Sequence, residues 1–277
     1  MDEAKAFAPG NISCVFQIVP HADPRQMHSL GMGFTVREGV VATVRAAREG
    51  GVWFNGRAIA FPAVEAVVAE LAAGPVQVEL ESPLPLGCGF GLSGASSLAT
   101  AYALDALLGL GRAKRELAMA AHVAEVRSLS GLGDVCAQFH GGWLLKLQEG
   151  DSLAARPVPV AEQPIHYRYF SAIDTRSVIG SQEQKERINR AADTALAALG
   201  TRLEAGETSA DAYIHVSKAF AIDSGLLADP RVRQAIAQAE AAGGSASMIM
   251  LGHAVFATVA FEGATATRVC GQGARVL

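Results

Sequence analysis

The first part of the chain alternates apolar and polar positions in a way that predicts β-strands. The stretch 34–46 carries four valines among polar residues, and 76–80 has valine or leucine at every second position. A period of two is the spacing of a strand that buries one face. We therefore predict that the early chain is rich in strands.

A helical spacing of apolar residues follows. Two predicted helices, 95–110 and 113–127, come one directly after the other, and a turn at 130–133 precedes a short helix that begins at Asp134. The stretch 141–147 returns to strand character. Beyond it the pattern predicts a strand at 167–173, helices at 182–199, 210–228 and 230–242, and strands separated by glycine turns in the tail.

The segment 149–164 is polar and interrupted by prolines, which is typical of a boundary between structural units. We predict an N-terminal domain over 1–155 and a C-terminal domain over 156–277.

A glycine-rich segment lies between the strand-rich part and the first helix. Four glycines stand within the eight positions 87–94, and small hydroxylated residues follow them. Glycines allow positive φ and close backbone approach, and a helix start presents free N–H groups, so the segment predicts a phosphate-binding loop. The alternative is an ordinary tight turn from a strand into a helix.

Part of this segment also matches the G-x-G-x-x-G pattern of dinucleotide-binding folds. In such folds the helix leads back to a parallel strand with an acidic residue near its end. Here a second helix follows, which disfavours that interpretation. The chain also lacks the G-x-x-x-x-G-K-[ST] pattern of ordinary P-loops.

Two carboxylates are candidates for chemistry beside the loop. Glu125 and Asp134 stand nine positions apart across a glycine-containing turn, so one is predicted to hold Mg²⁺ and the other to accept a proton from an alcohol. Alternatively, Glu125 is a solvated helix residue and Asp134 caps a helix. Ser93 either reaches the metal or caps its helix. His122 shares a face with Glu125 and is expected to be packed rather than a ligand.

Composition narrows the classes of partner. Half of the residues are hydrophobic, 18% are charged, the net charge is −4 and the pI is near 6.0. A chain of this kind folds, and it has no basic run interleaved with aromatics, so no nucleic-acid partner is expected. The four cysteines are scattered, the N-terminus lacks a signal-like apolar region, and the apolar stretch 246–261 is interrupted by Gly252 and His253. We expect no membrane partner and a cytoplasmic location.

Three segments resemble the motifs of the GHMP kinase superfamily, in the same order. They are 7–10 (FAPG), 85–95 (PLGCGFGLSGA) and 245–252 (SASMIMLG). The resemblance implies an α+β fold with an N-terminal half like domain 2 of ribosomal protein S5 and a ferredoxin-like C-terminal half. It also implies ATP and Mg²⁺ as cofactors and a small-molecule substrate, and it leaves room for a homodimer.

Within the superfamily the chain most resembles the archaeal-type pantoate kinases, through 8–12, 21–24, 82–94, 131–135 and 246–252. The function implied is transfer of a phosphoryl group from ATP to the hydroxyl of a small acid, with pantoate converted to 4-phosphopantoate in coenzyme A biosynthesis. The resemblance makes Asp134 catalytic and Ser93 and Glu125 the metal ligands. It assigns nucleotide binding to Pro85, Gly87, Gly89, Gly91, Leu92, Ser93, Gly94, Ala95 and Ser96, and substrate binding to His21, Asp23, Arg25 and His28.

The chain departs from these patterns at two positions. Leu92 stands where the superfamily loop has its first serine, and Leu30 stands where the pantoate kinase pattern has an arginine. A buried carboxylate needs a cation or several donors. We therefore expect Arg25, His28 or Arg37 to supply the contact that Leu30 does not.

Two other functions fit the same motifs. One is an enzyme of another cofactor pathway that resembles β-ribofuranosylaminobenzene phosphate synthase, which forms a C–C bond without ATP. The other is a nucleotide sensor that has kept the loop without turnover.

Overall fold

The largest element of the protein is a sheet of predominantly antiparallel strands, described here from a computed structural model that covers residues 2–173 and 181–277. Its strands run in the order β12-β1-β2-β5-β3-β4, and β6 joins β2 and β7; only β3 and β5 pair in parallel. The bounds are β1 Glu3–Val19, β2 His28–Ala46, β3 Gly51–Phe54, β4 Arg57–Ala58, β5 Val76–Glu81, β6 Trp143–Lys146, β7 Arg156–Pro157 and β12 Arg275–Val276.

The long hairpin of β1 and β2 sets the geometry of the site. Its register shifts between Ser13 and Val15, so that one residue of β1 is left without a partner. Such a bulge bends the strand and redirects the side chains beside it. Asn11 and Ser13, two positions apart, leave the same side of β1 and reach the same carboxylate group, that of Asp134.

Four helices cover this sheet. The central one, α2, is rich in alanine and buried along most of its length, so it packs closely on β1 and β2 and against the helices beside it. The bounds are α1 Pro62–Leu71, α2 Leu92–Leu108, α3 Lys114–Ser128 and α4 Asp134–His140.

A second, fully antiparallel sheet has the strand order β11-β8-β10-β9. Among the described residues, three amphipathic helices accompany it, and one of them, α7, begins with Asp229 as its N-cap and a proline in its first turn. The bounds are β8 Ile165–Ala172, α5 Gln182–Glu204, α6 Ala210–Asp223, α7 Pro230–Ala241, β9 Ala246–Met248, β10 Gly252–Ala257 and β11 Thr265–Thr267.

The two sheets share one hydrophobic core. Phe16 of β1 meets Phe220 of α6 edge to face, with ring centroids 5.7 Å apart. The Asn189 side chain of α5 pairs with both backbone groups of Ile18, at 2.9 Å each. The division of the chain at 155/156 stays a prediction.

The α+β fold class is confirmed, and the predicted strands and helices are present with shifted ends. The helix predicted at 95–110 begins at Leu92 and ends before Gly109, whose φ of 62° is the left-handed conformation common after a helix. The helix predicted at 210–228 was too long; it ends at Asp223, and Gly225 follows with a φ of 74°. Within the described residues, no helix is both long and apolar enough to span a bilayer.

Candidate active site

The glycine-rich loop runs from the end of β5 into the first turn of α2. Gly91 is the N-cap of α2, with a φ of 60°, and no side chain caps the helix. The first-turn N–H groups of Leu92, Ser93 and Gly94 have no acceptors within the helix, and the helix dipole adds positive potential there. The loop therefore presents an anion-binding surface, as its sequence predicts.

Backbone contacts from three other elements hold the loop. The Asn11 N–H donates to the carbonyl of Phe90 at 2.9 Å, and the Ile173 N–H donates to that of Gly87 at 3.0 Å. Gly252, at the start of β10, lies so close that a Cβ on it would be 2.1 Å from the carbonyl oxygen of Cys88. Only glycine fits at this contact, so Gly252 of the C-terminal glycine-rich motif allows β10 to pack directly against the loop.

An open cleft of about 270 Å³ lies in front of the loop. Of the predicted nucleotide-binding residues, five line it: Gly87, Gly89, Gly91, Leu92 and Ser93. Ala95 and Ser96 are fully buried behind the loop, where they support the helix. The other residues that line it are Ser13, Phe90, Leu129, Ser130, Asp134, Ile173, Met250 and Leu251.

Glu125 and Asp134 converge beside this cleft, as predicted. Glu125 is buried in α3, where its Oε1 accepts hydrogen bonds from Ser93 Oγ at 2.6 Å and Ser97 Oγ at 3.3 Å. Asp134 Oδ1 accepts one from Asn11 Nδ2 at 2.7 Å. The second oxygens, Glu125 Oε2 and Asp134 Oδ2, lie 3.1 and 3.2 Å from the point where a Cβ of Gly131 would be. A side chain at position 131 would fill the space between them.

The geometry does not favour the purely structural alternatives for Glu125, Asp134 and Ser93. Glu125 is 1% exposed, so it is not a solvated helix residue. The N-cap of α4 is Gly133, and no side chain makes a cap hydrogen bond there. The Ser93 hydroxyl donates its hydrogen bond to Glu125, and it does not cap α2.

Burial shifts the proton affinities of both carboxyl groups in the same direction. It raises the pKa of Glu125 to about 7, helped by the nearby Asp134 and opposed by the Ser93 hydrogen bond. It also raises the pKa of Asp134, against the hydrogen bond from Asn11. A nearby cation would favour the charged form of both groups.

The residues present fit a magnesium ion. Glu125 Oε2 is buried without a hydrogen-bond partner, Asp134 Oδ2 faces the same gap, and the Ser93 hydroxyl adjoins them. Mg²⁺ prefers oxygen ligands and is held in kinases by one or two carboxylates together with the phosphates. No cluster of three or more His, Cys, Asp or Glu side chains that suits a metal occurs in the described part of the chain.

The pKa of Glu125 leads to a stability prediction. The unfolded chain releases this proton near pH 4.5, and the folded protein holds it to about pH 7. Between these values the folded state binds more protons, so stability falls as the pH rises. We expect the melting temperature of the metal-free protein to fall more from pH 5.5 to pH 8 than that of Glu125→Gln. An equal change in melting temperature from pH 5.5 to pH 8 in both proteins would contradict the raised pKa of Glu125.

A second, smaller cavity of about 60 Å³ adjoins the cleft, and Ser13 lines both. Leu30 and Lys146 are on its wall, and both are buried. Lys146 is on β6, opposite Gly31 of β2. Its Nζ donates to the carbonyl of Asp151 at 2.6 Å, and burial lowers its pKa. Sequence reasoning missed this lysine; the available signal was a single charge ending the otherwise apolar strand Trp143–Lys146.

The predicted substrate-binding residues lie elsewhere. His21, Asp23 and Arg25 form the turn before β2, where the Asp23 N–H donates to His21 Nδ1 at 3.0 Å and the Arg25 N–H to Asp23 Oδ1 at 2.9 Å. His28 is buried and contacts the carbonyl of Gln26. None of the four lines the small cavity, and their role in binding substrate stays a prediction.

His122 is packed, as the sequence indicates. It is 1% exposed, its Nε2 is 3.0 Å from the carbonyl oxygen of Met27, and burial lowers its pKa to about 4. It is therefore neutral and positions the segment that leads into β2.

Comparison with known proteins gives a consistent result. The family described as the GHMP kinases N terminal domain matches residues 58–142, which include the glycine-rich loop and both carboxylates. The pantoate kinase of Methanospirillum hungatei is 31% identical over 261 residues, 91% of this chain and 86% of that protein. The pantoate kinase of Methanocaldococcus jannaschii is 26% identical over 80% of each chain.

The fold is also similar to that of a solved structure described as a phosphotransferase related to the CoA biosynthesis pathway. The TM-score is 0.86 at 23% identity, and the match covers 99% of this chain and 98% of that one. The chain therefore belongs to the GHMP kinase family, a family of ATP-using small-molecule kinases.

Proposed function

We propose that this kinase transfers the γ-phosphoryl group of ATP to the hydroxyl of pantoate, giving 4-phosphopantoate for coenzyme A biosynthesis. The observation that carries the proposal is the junction of two cavities beside Asp134. One is the cleft in front of the glycine-rich loop, and the other is small and lined by the buried Lys146. The similarity to proteins named pantoate kinase supports the choice of acid.

In this proposal the loop N–H groups bind the phosphates of ATP, and Ser93 and Glu125 hold Mg²⁺. When bound, the ion neutralises charge on the phosphates. Asp134 hydrogen-bonds the substrate hydroxyl, points its oxygen at the γ-phosphorus and takes its proton as the new O–P bond forms. The bond from the γ-phosphorus to the bridging oxygen breaks in the same step, and ADP is the leaving group. Asn11 keeps the carboxylate in place. Catalysis then depends mainly on positioning, as is usual for phosphoryl transfer.

We further propose that Lys146 binds the substrate carboxylate. Leu30 stands where the resemblance expects an arginine, and it is neutral. Lys146 lines the same cavity from the paired strand β6, so a cation remains although its position in the sequence has changed. Its small, buried surroundings favour a small acid over an extended one.

Replacing Lys146 with methionine, which keeps most of the side-chain volume, is expected to raise the KM for pantoate roughly tenfold or more and to leave the KM for ATP nearly unchanged. A charge-assisted contact contributes about 1.5–3 kcal/mol, which corresponds to that range. Initial rates with each substrate varied would measure both constants, and Lys146→Arg is expected to restore part of the affinity.

Arg25→Ala is the matched variant, because Arg25 is the candidate that the sequence favours. If Arg25→Ala raises the KM for pantoate and Lys146→Met does not, the carboxylate site lies at the turn before β2. The assignment to Lys146 would then be wrong.

The function itself is tested with a panel of small hydroxy acids. We expect Mg²⁺ and ATP together to raise the melting temperature, and ADP to form with pantoate but not with acids that lack a suitably placed hydroxyl. A protein that ATP does not stabilise would favour the synthase alternative. Stabilisation without ADP release from any acid would favour the nucleotide sensor.

We also propose a cytoplasmic location. All four cysteines are free thiols and three of them are buried, which supports a reducing compartment. A homodimer stays a prediction.

A further inference from the structure

Gln138 is a fully buried polar side chain that none of the sequence motifs singles out. It stands four residues after Asp134 on α4, so the two side chains leave the same face of the helix. Its Nε2 donates a hydrogen bond to the carbonyl oxygen of Gly91 at 2.7 Å. The same oxygen also accepts from the Ala95 N–H at 3.0 Å.

The orientation of this side-chain amide follows from its partner. The Gly91 carbonyl can only accept, so the nitrogen must face it and Oε1 must face away. Oε1 then lies 2.7 Å from the point where a Cβ of Gly94 would be, and it is buried without a hydrogen-bond partner. An unpaired buried oxygen costs stability. An apolar residue would pack here without that cost, which indicates that the donated bond has a use.

The hydrogen bond from Gln138 acts on the orientation of the peptide between Gly91 and Leu92. A trans peptide is planar, and its C=O and N–H point in opposite directions. Two donors hold the Gly91 carbonyl on the helix side, so the Leu92 N–H points away from the helix. Gly91 and Leu92 both line the cleft. The Gln138 bond thus fixes the direction of an N–H group in the phosphate-binding loop.

We propose that Gln138 is a positioning residue that holds the phosphate-binding N–H of Leu92 in register with Asp134. The inference rests on the proposed function and deepens it. A single short helix, α4, carries the Asp134 carboxylate at its first residue and, one turn later, the Gln138 amide that binds the loop. Any shift of α4 therefore moves both together, and the distance between phosphate and substrate hydroxyl is preserved.

The test compares two identical substitutions. Gln138→Met removes the donor and keeps the shape, and we expect kcat to fall tenfold or more and the Kd for ADP to rise severalfold, since small misplacements of reacting groups are costly. Gln184→Met is the matched control. Gln184 also donates from its side-chain amide to a backbone carbonyl, that of Ser224 at 3.0 Å, far along the chain from the loop. We expect it to lower the melting temperature without changing kcat.

A second variant adds a readout that a merely structural role would not move. In Gln138→Glu the carboxyl group can donate to Gly91 only when it is protonated. We expect the kcat of this variant, as a fraction of the wild-type kcat, to rise as the pH is lowered from 8.5 to 6. This measurement also stands if Gln138→Met does not fold.

Wild-type values of kcat and of the Kd for ADP in both Gln138 variants would overturn the inference and leave the proposed function intact. A wild-type protein that neither binds ADP nor turns over pantoate would overturn both.

Discussion

Replacing Asp134 with asparagine is expected to slow phosphoryl transfer to pantoate at least a hundredfold and to leave ATP binding nearly unchanged. Loss of a positioned acid–base group has about this effect. The amide keeps the shape of the side chain and can still accept the hydrogen bond from Asn11. The phosphate-binding loop, Ser93 and Glu125 are unchanged, so the main loss is the charged contact to the substrate hydroxyl. Single-turnover rates and ATP titration would measure the two effects separately.

Asp105→Asn serves as the control, because Asp105 is a carboxylate near the far end of α2 that accepts a hydrogen bond from the Arg112 N–H at 2.9 Å and does not line the cleft. We expect its kcat to equal that of the wild type. If Asp134→Asn turns over normally and only melts at a lower temperature, the carboxylate has a structural role and the proposed mechanism is wrong.

The second large effect is expected at Gly91. Replacing it with alanine should weaken ATP binding tenfold or more while the protein remains folded. The left-handed backbone strains an L-residue by about 1–3 kcal/mol. In addition, the new Cβ would lie 2.9 Å from Asp134 Cγ and 3.0 Å from Gln138 Nε2. The loop would have to move away from both side chains, and its N–H groups would lose their alignment.

Gly109 offers a closely matched control at the other end of the same helix. It has a φ of 62°, and a Cβ there would meet nothing within 4 Å. Gly109→Ala therefore carries a similar backbone strain without the collision, and we expect it to lower stability and leave ATP affinity unchanged. Equal ATP affinities in the two variants would contradict the assignment of the loop.

The parts of the site that the sequence predicts are those encoded locally. The glycine spacing at 87–94 and the turn between Glu125 and Asp134 are short-range features, and the residue types themselves indicate the backbone conformation. Contacts from β1 and β10 then hold the loop in place. The convergence of the two carboxylates on Gly131 follows from the same turn. This local encoding is why the glycine spacing and the turn together were enough to mark these residues as candidates.

Asn11, Lys146 and Gln138 act through pairings that no local pattern specifies. Asn11 meets Asp134 across 123 positions, through a bulged strand whose register shift the sequence does not reveal. Lys146 reaches the small cavity only because β6 pairs with β2. Gln138 contacts Gly91 across 47 positions. These contacts are determined by long-range packing of strands and helices, so they could be identified only from the structure.

The most direct test of the central claim is to follow the phosphorus nuclei during the reaction. With purified protein, ATP, Mg²⁺ and pantoate, ³¹P spectra are predicted to show one phosphomonoester of pantoate formed for each ADP, and Asp134→Asn is predicted to form it at least a hundredfold more slowly. Inorganic phosphate in place of the ester, or ester formation only with a different acid, would contradict the claim that this chain is a kinase for pantoate.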